Sequence, residues 1–171
     1  MVIWITGLSG AGKSTLCGAL VDMLKPRCPG LVVLDGDVVR TVFDDGLGYS
    51  EANRAVQIRR IQRLAAWLDG QGLVVLVGAL YAHPDLLSWN RANFCDYLEV
   101  YLRADMSFLR GIDPKGLYSK AARGEISEVV GHDIPWHEPV ASDLVLDAAE
   151  RCAAAEWARR VAALHPKFAA A

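Results

Sequence analysis

The stretch "GLSGAGKST", residues 7–15, lies between the apolar run "VIWIT" and a helical pattern, and no other part of the chain restricts the fold as strongly. Gly7, Gly12, Lys13 and Ser14 satisfy the GxxxxGK[ST] spacing of a phosphate-binding loop. Glycines let the backbone curl until its N–H groups face phosphate oxygens. Lys13 adds a point charge for the β and γ phosphates, and the Ser14 hydroxyl can ligate Mg²⁺. The helix that follows aims its positive end at the same place. Gly7, Ser9, Gly10, Ala11, Gly12, Lys13, Ser14 and Thr15 are therefore the expected ATP-binding set, with Mg²⁺ as the accompanying ion.

Beyond the loop, short β-branched runs alternate with longer helical patterns. Strands are expected at "VIWIT", "LVVLD", "LVVLVGAL", "YLEVYL" and "DLVLD". Helices are expected over 13–24, over 50–68 with Ser50 as cap, after Pro84, and along a final stripe of Ala149, Ala153, Trp157, Val161 and Leu164 closed by Pro166. Buried strands alternating with helices predict an α/β domain with a five-stranded, mostly parallel sheet and helices on both faces. A single P-loop kinase domain over 1–171 is expected. Residues 113–142 break the rhythm with glycines, prolines and charges, as a functional lid does. The terminal "KFAAA" reads as frayed.

Composition narrows the partners. The formal net charge of −2 gives no bulk electrostatic grip on nucleic acid. The longest nearly apolar run, residues 72–82, is too short to span a bilayer, and the N-terminus lacks a signal-peptide pattern. Four widely spaced cysteines, with no CxxC, read as reduced thiols of a cytoplasmic protein. The four histidines form no ligand set along the chain, so zinc is not expected.

Three classes share the glycine loop. A GTPase switch needs a guanine-reading NKxD, which is absent, and a motor ATPase ends an apolar strand with a carboxylate, which "LVVLVGAL" does not. A small-molecule kinase can place its acid after the second strand. "LVVLDGDVVR" does so: Asp35 and Asp37 flank Gly36 where ligands bind in open α/β sheets. If the strand continues, alternation points both carboxylates the same way. Transfer to a hydroxyl uses one carboxylate for the hydroxyl proton and another oxygen for the metal shell.

With these segments in hand, the chain resembles the adenylylsulfate kinases, which phosphorylate the ribose 3′-hydroxyl of adenosine 5′-phosphosulfate (APS) with MgATP. "YSEANRAVQIRR" is similar to the family's FSxxDRxENIRR, "DPKGLYSKAARGEI" to DPKGLYxKAxxGEI, and "GHDIPWHEP" to GIDxPYExP. The resemblance implies a P-loop kinase fold of the nucleotide-kinase type. It makes Asp37 the catalytic carboxylate, supported by Asp35, with Lys13 on the donor. Ser14 and Asp37 would serve Mg²⁺, Asp37 directly or through water. Asp37, Arg40, Tyr49, Arg54, Gln57, Leu80, Lys115, Gly116 and Leu117 would form the acceptor site. Dimers are common in such proteins, so a homodimer is an expectation too.

Departures cluster on the acceptor side. Val38, Val56, Leu80, Ala82 and Val129 replace family residues. Ala79 stands where the family has a serine, so a phosphoserine intermediate there is impossible and direct in-line transfer is expected. Val129 replaces an aromatic over the acceptor base, a loss of roughly 1–3 kcal/mol of stacking, with Trp136 or Tyr81 as candidate substitutes. A kinase for another nucleotide, such as cytidine diphosphoramidate in capsule decoration, is the alternative reading.

Overall fold

The computed structural model describes residues 1–44, 46–150 and 152–169. Five strands form one parallel sheet: β1 (Val2–Thr6), β2 (Leu31–Asp35), β3 (Val74–Ala79), β4 (Tyr97–Arg103) and β5 (Leu144–Asp147). Their spatial order is β2-β3-β1-β4-β5. β1 and β3 are buried along their whole length, as strands covered on both faces must be. Trp4, Ile3, Ile5 and Leu76 are fully buried there.

The register brings the site together. Thr6 pairs with Ala79, and Asp35 with Gly78. The carboxyl ends of β1, β2 and β3 therefore stand level, so the loops leaving them converge. The chain crosses from one side of β1 to the other between β3 and β4, which is the switch point where such sheets bind ligands.

Helices are α1 (Lys13–Leu24), α2 (Gly36–Phe43), α3 (Glu51–Asp69), α4 (Pro84–Asn93), α5 (Met106–Ile112), α6 (Leu117–Ala122), α7 (Ala154–Ala162) and α8 (Pro166–Ala169). Ser50 caps α3 as expected, its side chain accepting from the Asn53 N–H. Pro84 opens α4, and His83 accepts from the Asp85 N–H. Among the described residues, no helix is long and apolar enough to cross a membrane.

Four details differ from expectation. The second strand is "LVVLD" as expected, but it does not continue past Asp35, since residues 36–43 are helical. Asp35 caps that helix, its carboxylate accepting from the Asp37 and Val38 N–H groups, so strand alternation does not orient the two aspartates. The final helix starts only at Ala154; Ala149 lies in a 3₁₀ turn and Leu164 beyond the helix end. Pro166 opens α8 rather than closing α7, which suits its fixed φ. In "KFAAA", Phe168 is buried against the core, while Ala170 and Ala171 lie outside the described residues.

Candidate active site

The loop after β1 folds as phosphate binding requires. Gly7 passes so near β4 that a Cβ there would lie 2.5 Å from the Leu102 carbonyl oxygen, so only glycine fits. Gly12 has φ 104°, a conformation that favours glycine, and no side chain caps the α1 N-terminus behind it. Lys13 Nζ donates to the carbonyls of Gly7 (2.8 Å) and Leu8 (2.9 Å), which holds it along the loop. Burial pulls its pKa down to about 8, partly offset by Asp37 and Asp35.

A cavity of about 250 Å³ lies over this loop, lined by Ser9, Gly10, Gly12, Lys13, Ser14 and Thr15 together with Asp35, Asp37, Pro114 and Lys115. Gly7 and Ala11 shape the loop from beneath; Ala11 is buried. Ser14 Oγ donates to Asp35 Oδ2 at 3.2 Å. Asp35, capping α2 with one oxygen and meeting Ser14 with the other, is thus fixed by the fold, whereas Asp37 projects into the open cavity.

A second cavity, about 430 Å³, adjoins the first. Ser9, Asp37, Leu80 and Lys115 line both. Tyr49, Arg54, Leu117, Glu128 and Val129 are among its other walls. A small recess of about 70 Å³ extends it past Arg40 and Gln57. Asp37 lines all three spaces and sits at their junction.

The expected acceptor residues are largely gathered here. The guanidiniums of Arg40 and Arg54 lie 4.5 and 5.5 Å from the centre of the Tyr49 ring. Arg40 also donates to the Leu47 and Gly48 carbonyls. Arg54 Nη2 donates to the Glu128 carbonyl at 2.6 Å, while its Nε is buried without a partner among the described residues. Burial and the neighbouring Arg40 push the Arg54 pKa down. Gln57 donates to the Gly36 carbonyl and braces the α2 start. Gly116 lines none of the three cavities; with φ 63° it turns the chain into α6.

The two candidates for the place of the aromatic stand away from Val129: Tyr81 lines the small recess past Arg40 and Gln57, and Trp136 lines none of the three cavities. Tyr81 gives its hydroxyl to Glu51 at 2.7 Å, and Trp136 packs beside Tyr101. Neither lines the cavity that holds Val129; the wall there is aliphatic, made by Leu117, Ile126, Val129 and Val130. Three contributors were not read from the sequence. Tyr118 donates to the Ser9 carbonyl at 3.0 Å and ties α6 to the donor loop; its place in "DPKGLY" was the available signal. Glu128 lines the second cavity and Asp133 accepts from its N–H; Asp133 stands in "GHDIPWHEP", while Glu128 lies outside every quoted motif.

The adenylylsulphate kinase family model matches residues 1–147. The chain belongs to the adenylylsulphate kinase family. Adenylyl-sulfate kinases of Rippkaea orientalis and Geotalea uraniireducens are 41% and 39% identical to it, covering 82% and 86% of this chain and 77% and 72% of their own. Among solved structures, the Mycobacterium tuberculosis APS kinase CysC in complex with AMPPNP and APS superposes with a TM-score of 0.85 at 34% identity, covering 94% of each chain. Shikimate kinase from Aquifex aeolicus, at 14% identity and TM-score 0.58 over 94% of this chain and 93% of its own, shares the fold. The P-loop kinase fold and the family resemblance expected from the sequence are both borne out.

Proposed function

We propose that this chain transfers the γ-phosphoryl group of MgATP to the ribose 3′-hydroxyl of adenosine 5′-phosphosulfate. The observation that carries the reading is the junction at Asp37, where a phosphate-loop cavity opens into a cavity of nucleotide size whose walls include Arg54 and Lys115. Family membership supports adenylylsulfate over the cytidine alternative.

In this reading the 7–15 loop and Lys13 hold the donor phosphates, and Asp37 orients the acceptor hydroxyl and accepts its proton in an in-line transfer. Ala79 leaves no hydroxyl for a covalent relay at the end of β3. Arg40, Arg54 and Lys115 offset the charge of an anionic acceptor beside ATP. Tyr49 offers one face for the base, and the aliphatic wall at Val129 gives the other, a softer grip than two aromatics.

The residues suit Mg²⁺. Among the described residues, no three His, Cys, Asp or Glu side chains are grouped to hold a metal by themselves. Mg²⁺ characteristically takes one or two carboxylates plus substrate phosphates and water. Ser14 and Asp35, in mutual hydrogen-bond contact, would hold it, with Asp37 reaching it through water. When bound, Mg²⁺ neutralises charge on the β and γ phosphates.

Residues 113–142 act as the lid, tied down through Tyr118 and Lys115. A cytoplasmic location goes with this reading, supported by four free cysteines; a homodimer rests on the sequence resemblance alone. The test is a thermal-shift screen of adenine and cytosine nucleotides with Mg-ADP. APS should give the largest rise in Tm, and a larger rise with a cytidine diphosphate would overturn the acceptor assignment.

A further inference from the structure

Glu128 stands out in the acceptor cavity. It is a non-glycine residue at φ 64°, a conformation that side chains rarely adopt. Asp133 holds it there: its two carboxylate oxygens accept from the N–H groups of Glu128 (2.6 Å) and Val129 (2.5 Å). Arg54 clamps the same residue from the other side through its carbonyl. Glu128 Oε2 in turn accepts the Tyr49 N–H at 3.2 Å, which ties its carboxylate to the backbone of the residue offering the aromatic face. The cavity thus has an acidic residue whose backbone is pinned by Asp133 and Arg54 and whose carboxylate meets the Tyr49 N–H, at the end where Tyr49 and Val129 would receive a base. For a cavity meant for an anion this is unexpected, since nearby cations would serve better alone.

A carboxylate only accepts hydrogen bonds. Facing a base edge, it pairs with an exocyclic amino group and opposes a carbonyl. We propose that Glu128 is a specificity-determining residue that reads the exocyclic amino group of the acceptor's base, admitting 6-amino purines (and 4-amino pyrimidines) and rejecting their keto counterparts. This rests on the nucleotide-acceptor reading above. The physical basis is positional: where the amino base offers an N–H, a keto base sets a carbonyl oxygen against the carboxylate, and its ring N–H lies one atom along the edge, reachable only if the base shifts between Tyr49 and Val129; buried polar groups left unpaired cost far more than a missing methylene.

The experiment compares kcat/KM for adenosine 5′-phosphosulfate and inosine 5′-phosphosulfate in the wild-type chain and in Glu128→Gln. The two acceptors differ by an amino group against a carbonyl at the same ring position. The amide keeps an oxygen for the Tyr49 N–H and turns its NH₂ to the base, so it should accept the keto form. The wild type should favour the adenosine compound by at least about tenfold, and Glu128→Gln should erase or invert that preference. Glu128→Gly, which relieves the backbone and removes the carboxylate, should bring the ratio near one. A merely structural role would alter both acceptors equally. An unchanged ratio in Glu128→Gln, with the adenosine compound still turned over, would overturn the Glu128 assignment alone. Absence of wild-type turnover with either compound would overturn the acceptor reading and this inference with it.

Discussion

The ammonium of Lys115 lies 3.5 Å from the carboxylate of Asp37, so the segment leading into α6 reaches across to the start of α2 at the point where the two main cavities meet. Both side chains are largely exposed, at 71% and 81%. Ion pairs of that kind add little to stability, so in the proposed reaction the pair serves to place charge where the donor and acceptor would meet. Lys115→Met should leave the Tm nearly unchanged and raise the KM for the acceptor about 10–100-fold, the loss of one charge-assisted contact. Steady-state kinetics beside a melting curve checks this; a large Tm loss with an unchanged KM would assign Lys115 to folding instead.

Asp37→Asn should lower kcat by about 10²–10⁴-fold while MgATP affinity changes little, because the side chain is assigned to the hydroxyl proton. Asp35→Asn should behave differently, weakening MgATP binding through the Ser14 side and loosening the α2 cap. Equal effects of the two substitutions on ATP binding would merge the roles separated here.

Lys13 should make nucleotide binding pH-dependent. Burial lowers its pKa from 10.5 to about 8, so in the free protein it loses its proton as pH rises through 8. Bound phosphates favour the charged form. Between about pH 8 and the raised value in the complex, MgATP binding should therefore take up a proton and weaken with rising pH. The unfolded chain holds that proton up to 10.5, so Lys13 penalises folding below pH 8 and the penalty fades from 8 towards 10.5. Calorimetry of ATP binding at pH 8.5 in two buffers of different ionisation enthalpy measures the uptake. Identical heats would contradict it, and Lys13→Ala should abolish both binding and uptake.

How much of this site could be read from the chain depended on how local the signal was. The 7–15 loop was fully legible because its glycines and Lys13 act within nine residues of each other. β1 and β3 were legible because burial on both faces leaves continuous apolar runs such as "VVLVGA", and the edge strands β2 and β5 because they keep short runs of Leu and Val that end in an aspartate. α2 was missed because "DGDVVR" reads as a strand leaving into a turn; only the side-chain cap of Asp35 on the Asp37 and Val38 N–H groups reveals the helix. Glu128 was missed because its place is set by Asp133, five residues on, and by Arg54, 74 residues away. Long-range pinning of that kind leaves no periodic trace.

Tyr118→Phe should reveal the lid tie. The hydroxyl bridges buried α6 surface to the Ser9 carbonyl, and its loss should cost about 0.5–1.5 kcal/mol. For a chain of this size that is a Tm drop of roughly 1–6 °C. The KM values for both substrates should rise, since Ser9 lines both cavities. A change confined to one substrate would uncouple the lid from the donor loop.

The most direct measurement is the position of the transferred phosphate. The protein is incubated with MgATP and adenosine 5′-phosphosulfate, and the nucleotides are resolved by mass and by phosphorus NMR. One 3′-phosphorylated adenosine 5′-phosphosulfate should appear for each ADP formed, and Asp37→Asn should suppress both together. ADP released without a 3′-phosphorylated product, or phosphate appearing only as inorganic phosphate, would contradict the account.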